Sequence, residues 1–338
     1  MSRRGVAWVT LAIFALIIPF GSMTRAATGG SKGRVVLAFG GDVNFERRSK
    51  VQGLRGGFST LPDLLGDADI AMLNLETAIT TRGTPEKKMY QFRAHPRVLE
   101  SMFQAGVDVV SMANNHSIDF GRNVGLVDTL QARSKSKLGV IGIGENFADA
   151  FSPYRKTINN TTISIFAVAA MGMPGSTSST WPAKKDRSGM VLWQSHKSSI
   201  LKGITKESKK ADIVAVFMHW GDEYATCPNG TQKYIADELF KSGADVIVGA
   251  HPHIIQGTSF NKKKLIAYSL GNFSWYANYA LSGALLKVNI AGGEVVSYSM
   301  TPTIWDRYGL PMRATGSRKA DIESLMKTAN ACPGLQRN

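Results

Sequence analysis

The chain has 338 residues, 43% of them hydrophobic, enough to bury a substantial core as one large domain or one domain with small additions. Its formal charge of +15 suits a polyanionic partner, but the basic clusters Lys206–Lys210 and Lys262–Lys264 lack the interleaved aromatics of a nucleic-acid groove, so no nucleic acid is expected. Only two cysteines occur, Cys227 and Cys332, and without a CxxC spacing they exclude cysteine-bound zinc and leave one disulfide or two unpaired thiols.

Residues 1–27 read as an export signal. Arg3 and Arg4 make a positive start, Val6–Gly21 is an apolar run of signal length, and Thr24-Arg25-Ala26 resembles a signal-peptidase site. The run is short for a membrane span and no second apolar block follows, so an uncleaved anchor is the alternative. Ser2-Arg3-Arg4 resembles a twin-arginine signal. Taking away its three basic residues and no acids leaves +12 for the exported part. The expected location is the periplasm or cell envelope.

Five short, β-branched-rich apolar runs read as buried strands, and each ends on residues of ligand type. Val35–Phe39 leads to Gly40-Gly41-Asp42, and Ile70–Leu75 to Glu76. Val107–Ala113 leads to Asn114-Asn115-His116, Ile213–Met218 to His219-Trp220-Gly221, and Val246–Ala250 to His251-Pro252-His253. Helical patterns over Pro96–Ala105, Val124–Ala132 and Gln232–Lys241 alternate with these runs, which predicts an α/β architecture. Thr162–Ala169, Leu265–Ser269, Leu285–Ile290 and Val295–Met300 read as strands without intervening helices, hence as a second, largely antiparallel sheet. Gly172–Gly189 reads as a long surface loop, and Lys319–Ala331 as a final helix.

Ligands of open α/β sheets bind beyond the carboxyl ends of the strands. That edge collects Asp42, Glu76, Asn115, His116, His219, His251 and His253, all types that coordinate divalent metals. Each alone has a bland reading: Asp42 as a helix or turn cap, Asn115 as a turn residue. Five strand ends carrying such residues point to one metal site. His95 and His196 are left out as surface or satisfied core residues. Four imidazoles, two carboxylates and an amide exceed one tetrahedral shell, so two metals are expected, with Asp42 or Glu76 as bridge. His116 is placed as general acid, oriented by Asp119.

The ordered motifs Gly41-Asp42-Val43, Asn74-Leu75-Glu76, Ala113-Asn114-Asn115-His116 with Asp119 and Gly121, His219-Trp220-Gly221 with Glu223-Tyr224, Gly249-Ala250-His251-Pro252-His253 and Tyr268-Ser269-Leu270-Gly271-Asn272-Phe273 resemble the CapA family of capsule-synthesis or poly-γ-glutamate-biosynthesis proteins. The resemblance runs from about Val35 to Ile290. It implies a metallophosphoesterase-like four-layer α/β/β/α sandwich with a two-metal centre (Mn, Fe or Zn). It also implies Glu76 as the bridge, Asp42, Asn115, His219, His251 and His253 as the other ligands, and His116 as the acid. Two departures stand out: Asn44 occupies a position where the superfamily usually carries a histidine, and Glu76 replaces an aspartate. Asn44, Trp220, Glu223, Tyr224, Gln232 and Gln256 are the candidate pocket residues, with a purely structural role for Glu223-Tyr224 as the alternative. The implied domain plan is a signal over residues 1–27, a CapA-type domain over 28–310 and a helix and tail over 311–338. The implied partner is an anionic polymer such as poly-γ-glutamate, within a capsule synthesis or export complex. Three roles remain open: a metal-dependent hydrolase, a polymer-binding accessory protein without catalysis, or a metal-containing envelope protein unrelated to capsule.

Overall fold

Nine consecutive buried residues, Val35–Val43, form the central strand of the first sheet in the computed structural model, which describes residues 32–46, 58–171, 180–275 and 283–335. On one side lie the parallel strands Ile70–Leu75, Val109–Ser111 and Gly139–Ile141. On the other lie the antiparallel strands Gly283–Ala291, Glu294–Trp305 and Pro311–Arg313. The second sheet runs Thr258–Asn261, Lys264–Ala267, Val246–Ala250, Ile213–Trp220, Thr161–Ala170, Tyr154–Ile158, and its four inner strands are parallel.

The sheets face each other. Ile163, Ile165, Ala215, Phe217, Val246 and Val248 of the second share one core with Leu37, Phe39, Met72 and Leu73 of the first, and helices Arg97–Gln104 and Val127–Lys135 add Val98, Leu99, Met102 and Leu130. The alternate residues Phe166, Val168, Val214, Val216 and Met218 point outward. They pack on Ile200 and Ile204 of helix Trp193–Glu207 and on Ile235 and Leu239 of helix Gly230–Lys241. Strands buried on both faces must be apolar throughout, which is why these runs are continuous and not alternating. The result is a four-layer, metallophosphoesterase-like α/β/β/α sandwich.

Two irregularities aim the strand ends. Between Phe39 and Asp42 the first strand gains one residue on its neighbour Ile70–Leu75, a bulge that re-aims the side chains beyond it. Gly41 sits so close to the crossing chain that a Cβ would lie 1.8 Å from Gly271 O, and at Gly249 a Cβ would lie 1.9 Å from Tyr268 O. Only glycine admits such approaches, and each precedes a candidate ligand.

The sheet assignment differs from the sequence expectation in one respect. The later strands do not form a separate antiparallel sheet. Thr161–Ala170 and Lys264–Ala267 are parallel members of the sheet that holds Ile213–Trp220, whereas Gly283–Ala291 and Glu294–Trp305 extend the first sheet. Strand patterns report burial, and burial is equal in either sheet. The 172–189 segment differs too. Residues 172–179 lie outside the described residues, but Trp181 and Ala183 beyond them are core residues, 2% and 0% exposed. The last helix spans Gly316–Asn330. The signal assigned to residues 1–27 lies outside the described residues, and no helix among those described is long and apolar enough to cross a membrane.

Cys227 and Cys332 are bonded, closing a sequence separation of 105 residues. The bridge ties the tail after the last helix to the loop that follows His219. Closing so long a loop restricts the unfolded chain, so Cys332→Ser is expected to lower unfolding free energy by about 2–5 kcal/mol. Urea unfolding of the variant and of reduced wild type checks this; a change below about 1 kcal/mol means the tail docks without its tether.

Candidate metal centre

The carboxyl ends of strands from both sheets meet, and the ligand-type residues meet with them. Asp42 is fully buried, pinned by its own N–H to Gly271 O at 3.0 Å. Its Oδ1 accepts from Asn74 Nδ2 at 2.7 Å, and its Oδ2 accepts from the His251 N–H at 3.2 Å and lies 3.1 Å from His253 Nδ1. Glu76 is fully buried just past its strand, where its N–H reaches Val43 O at 2.9 Å. His219 enters from the second sheet, with Nε2 2.8 Å from Asn115 Oδ1 and Nδ1 3.1 Å from Asn74 Nδ2. His251 and His253 turn in from one loop at φ 98° and 56°. Side chains beyond Cβ disfavour that left-handed region, and such strain concentrates at functional sites. The His253 ring is fixed by Asn272 Oδ1, 2.9 Å from its Nδ1, which leaves Nε2 to face the centre.

Two buried atoms of the candidate ligands lack a hydrogen-bond partner: Glu76 Oε1 and His251 Nδ1. Orphaned polar atoms cost stability unless something else satisfies them. Glu76 Oε1 stands 3.8 Å from His116 Nε2 and 3.9 Å from the Nε2 atoms of His219 and His253. Those separations are too long for hydrogen bonds. The two 3.9 Å separations match ligand atoms sharing an ion at bonds of about 2.0–2.2 Å. Two groups of ligand atoms lie within 4.8 Å of one another, Glu76 with His219 and His251, and Asp42 with Glu76 and His253. Glu76 belongs to both. These buried acidic and imidazole groups can hold metal ions.

Charge follows burial. Burial, reinforced by the Asp42 charge, pushes Glu76 well above the usual carboxylate range. Burial also pushes Asp42 up, but hydrogen bonds from His253 and Asn74 outweigh it and hold its carboxyl below the ordinary value. Burial draws His251 down to about 3 and His116 to about 4, and takes His219 well below its ordinary value. His253 goes the other way: burial opposes its proton, but the Asp42 contact prevails and raises it. Metal requires neutral imidazoles and ionised carboxylates. His116, His219 and His251 are already neutral near neutrality, so the protons to be displaced sit on His253 and Glu76. Zn²⁺ or Mn²⁺ affinity is therefore expected to fall as pH drops through the raised values of His253 and Glu76. Calorimetric titration in two buffers of different ionisation enthalpy should show about one proton or more released per chain near neutrality; affinity that stays constant across the mildly acidic to mildly basic range contradicts this reading.

His116 is supported from behind. Its Nδ1 lies 2.6 Å from Asp119 Oδ2, so Nε2 is the nitrogen presented to the centre. The Phe92 ring stacks on it at 4.1 Å, and the Phe92 N–H donates to the same Asp119 oxygen at 2.7 Å. Tyr224 and Glu223 are exposed on the loop after the His219 strand. The Tyr224 ring stands 6.2 Å from that of His253, and its N–H holds Pro252 O at 2.8 Å.

Four expected pocket residues are engaged elsewhere. Trp220 follows His219 in a strand, so it points to the opposite face. It is fully buried against the outer helices, with Nε1 donating to Tyr268 O at 2.8 Å. Gln256 donates to Ala225 O and Cys227 O and accepts from Gln232 Nε2, bracing the loop that carries Tyr224. Gln232 also completes the capping box of its helix. Asn44 is buried with its amide turned to the backbone, donating to Glu76 O at 3.4 Å and accepting from Glu46 N at 2.8 Å.

Sequence reasoning gave no role to Asn74, Asn114, Asn272, Lys88, Phe92 or Trp275. Asn74 links Asp42, His219 and Asn114 through one amide, and Trp275 packs 4.6 Å from the His253 ring. Period-2 spacing from Glu76 placed Asn74 on the ligand face; nothing local marked Lys88 or Phe92.

A family model described as "Bacterial capsule synthesis protein PGA_cap" matches residues 36–276. The chain is similar to the "Capsule biosynthesis protein CapA" of Bacillus anthracis, 31% identical over 71% of this chain and 59% of that protein. It therefore spans less than two thirds of that relative's length. It is also similar to the "PGA biosynthesis protein CapA" of Bacillus subtilis (strain 168), 26% identical over 87% of this chain and 78% of the relative. A "Probable polyglutamine synthesis accessory protein" of Mycobacterium tuberculosis is 26% identical over 77% and 71%. Among solved structures, a hypothetical protein from Thermus thermophilus superposes with a TM-score of 0.54 at 19% identity, covering 79% of this chain and 98% of that one, a likeness of fold.

Proposed function

Because the chain belongs to the PGA_cap family of bacterial capsule synthesis proteins, we propose that its buried carboxylates and imidazoles form a two-metal hydrolase-type centre. Its substrate is a phosphoester or the γ-glutamyl amide of an anionic envelope polymer. The observation that carries this is Glu76, common to both groups of ligand atoms, with its Oε1 buried and without a hydrogen bond. Asp42, Asn115, His219, His251 and His253 would complete the ligand set with Glu76. Bound Mn, Fe or Zn ions supply Lewis-acid polarisation of a phosphoryl or carbonyl oxygen.

The chain's own groups do the rest. His116, steadied by Asp119 and Phe92, presents Nε2 to protonate the departing group. Asp42 and Asn272 hold the His253 ring. Tyr224 and Glu223 meet substrate at the rim. We also propose export by residues 1–27, a domain over 28–310 followed by a tail over 311–338, and a place in a capsule synthesis or export complex. The names of the Bacillus relatives and the net charge of +12 beyond residue 27 support poly-γ-glutamate or a similar polyanion as partner.

One observation favours a second reading, a polymer-binding accessory protein without catalysis. Asn44, at the position of an expected imidazole, is committed to the backbone, and one relative carries "accessory" in its name. The deciding experiment is elemental analysis of the purified protein, with a screen of phosphodiesters and γ-glutamyl polymers at saturating metal. Bound metal with turnover supports the hydrolase. Absent metal with salt-sensitive polyglutamate binding supports the accessory protein, and metal without turnover of anything tested overturns the enzyme.

A further inference from the structure

Lys88 lies in none of the strand-end motifs, yet its ammonium reaches behind the candidate acid. Nζ is 2.5 Å from Asn115 O, 2.5 Å from Asp119 Oδ1 and 3.1 Å from His116 Nδ1, and it rides 5.4 Å over the Trp181 ring. Asp119 is fully buried, and Lys88 retains 23% side-chain exposure. Asp119 Oδ1 meets the ammonium by charge, without a directed hydrogen bond. The segment bearing Lys88 is itself pinned. The Glu86 N–H donates to Asp119 O at 2.8 Å, Gln91 Nε2 donates to Glu86 O and Lys88 O, and Phe92 supplies both its N–H and its ring to the His116–Asp119 pair.

We infer that Lys88 is a positioning residue for the proposed reaction, clamping the Asn115 carbonyl and the Asp119 carboxylate so that the His116 ring is held toward the centre. The inference rests on the hydrolase reading for its kinetic consequence, though not for its geometry. The physical case is one of constraint. An ammonium this close to a buried carboxylate is held there by charge. Its second bond, to Asn115 O, ties the peptide between a candidate ligand and the candidate acid. With Asp119 Oδ2 accepting the hydrogen bond from Nδ1–H, His116 has its tautomer and its ring plane set together. Asp119 alone would fix one edge of the ring; Lys88 fixes the carboxylate that does so. Charge balance for Asp119 would need only a cation nearby, whereas this ammonium contacts three successive parts of the Asn115–Asp119 turn.

The test compares wild type with Lys88→Gln and Lys88→Arg, using bis-p-nitrophenyl phosphate at saturating Mn²⁺. Lys88→Gln is expected to lower kcat about 10–100-fold with KM within about twofold and metal content unchanged. Lys88→Arg should recover most of kcat, since a guanidinium can donate to both Asp119 and Asn115 O. A second readout needs no turnover: the ¹⁵N–¹H signal of His116 Nδ1 should be protected from exchange in wild type and Lys88→Arg and broadened in Lys88→Gln. If wild type does not hydrolyse this diester, the phosphodiesterase form of the hydrolase reading fails while the imidazole signal still judges the positioning. Unchanged kcat and an unchanged imidazole signal in a folded Lys88→Gln overturn the inference. Loss of metal in that variant also overturns it, by moving the role of Lys88 to the ligand set. Should Lys88→Gln not fold, Lys88→Arg decides through its imidazole signal, which must stay protected.

Discussion

Glu76→Gln is expected to give a folded protein with no more than a trace of bound metal. Glu76 is the one residue common to both groups of ligand atoms, so an amide there weakens every ion at once, where loss of His251 or His253 touches one group. Turnover should fall by at least about 10²–10³-fold, the scale on which a principal charge-stabilising group acts. Stability should move the other way. In the metal-free protein, burial and Asp42 raise the Glu76 carboxyl, so the folded state holds a proton there that the unfolded state has released. By linkage, that residue's contribution is present at low pH and is lost as pH rises through its raised value. The amide cannot ionise. Chelated Glu76→Gln should therefore gain on chelated wild type as pH rises, measured as the difference in Tm between a mildly acidic and a mildly basic buffer. A variant that keeps its metal, or a gap that narrows with pH, overturns the assignment.

His116→Asn is expected to separate chemistry from metal binding. His116 stands 3.8 Å from Glu76 Oε1 but belongs to neither group of ligand atoms. Metal content should stay at the wild-type level while kcat falls about 10²–10⁴-fold, the range for removing a general acid. The loss should be smallest on phosphodiesters with good leaving groups, because these need least protonation. Equal losses on p-nitrophenyl and alkyl esters contradict acid duty for His116. Burial draws that imidazole down to about 4, so at neutral pH the ring rests neutral, and to act as the acid its Nε2 must first take a proton from the attacking water and then hand it to the departing oxygen.

Much of this centre was legible in the chain because its parts are local. A continuous apolar run followed by Asp42, Glu76 or His219 records a strand buried on both faces and the point at which it emerges into a site. His251-Pro252-His253 records a tight turn whose two imidazoles converge. The cysteine pair was legible only as a possibility, since two thiols 105 residues apart carry no local sign of meeting. Trp220 was misplaced by adjacency. It neighbours His219 in sequence, but the pleat sends it to the other face, where the outer helices cover it. Lys88 and Phe92 were invisible for the opposite reason. They lie in a segment without strand or helix pattern, and only the turn at Asn115–Asp119 gives them work.

By itself, the sequence determined which strands are buried, where they end and which ligand types stand at those ends, because burial and alternation are written in neighbouring residues. It also carried enough ordered motif to identify the family. The distribution of strands over two sheets, the sharing of Glu76 between both groups and the clamp behind His116 were decided by the tertiary structure. Each depends on contacts between segments far apart in the chain, such as His251 N to Asp42 across 209 residues. Distances of that kind are set by how two sheets pack, and no local pattern encodes them.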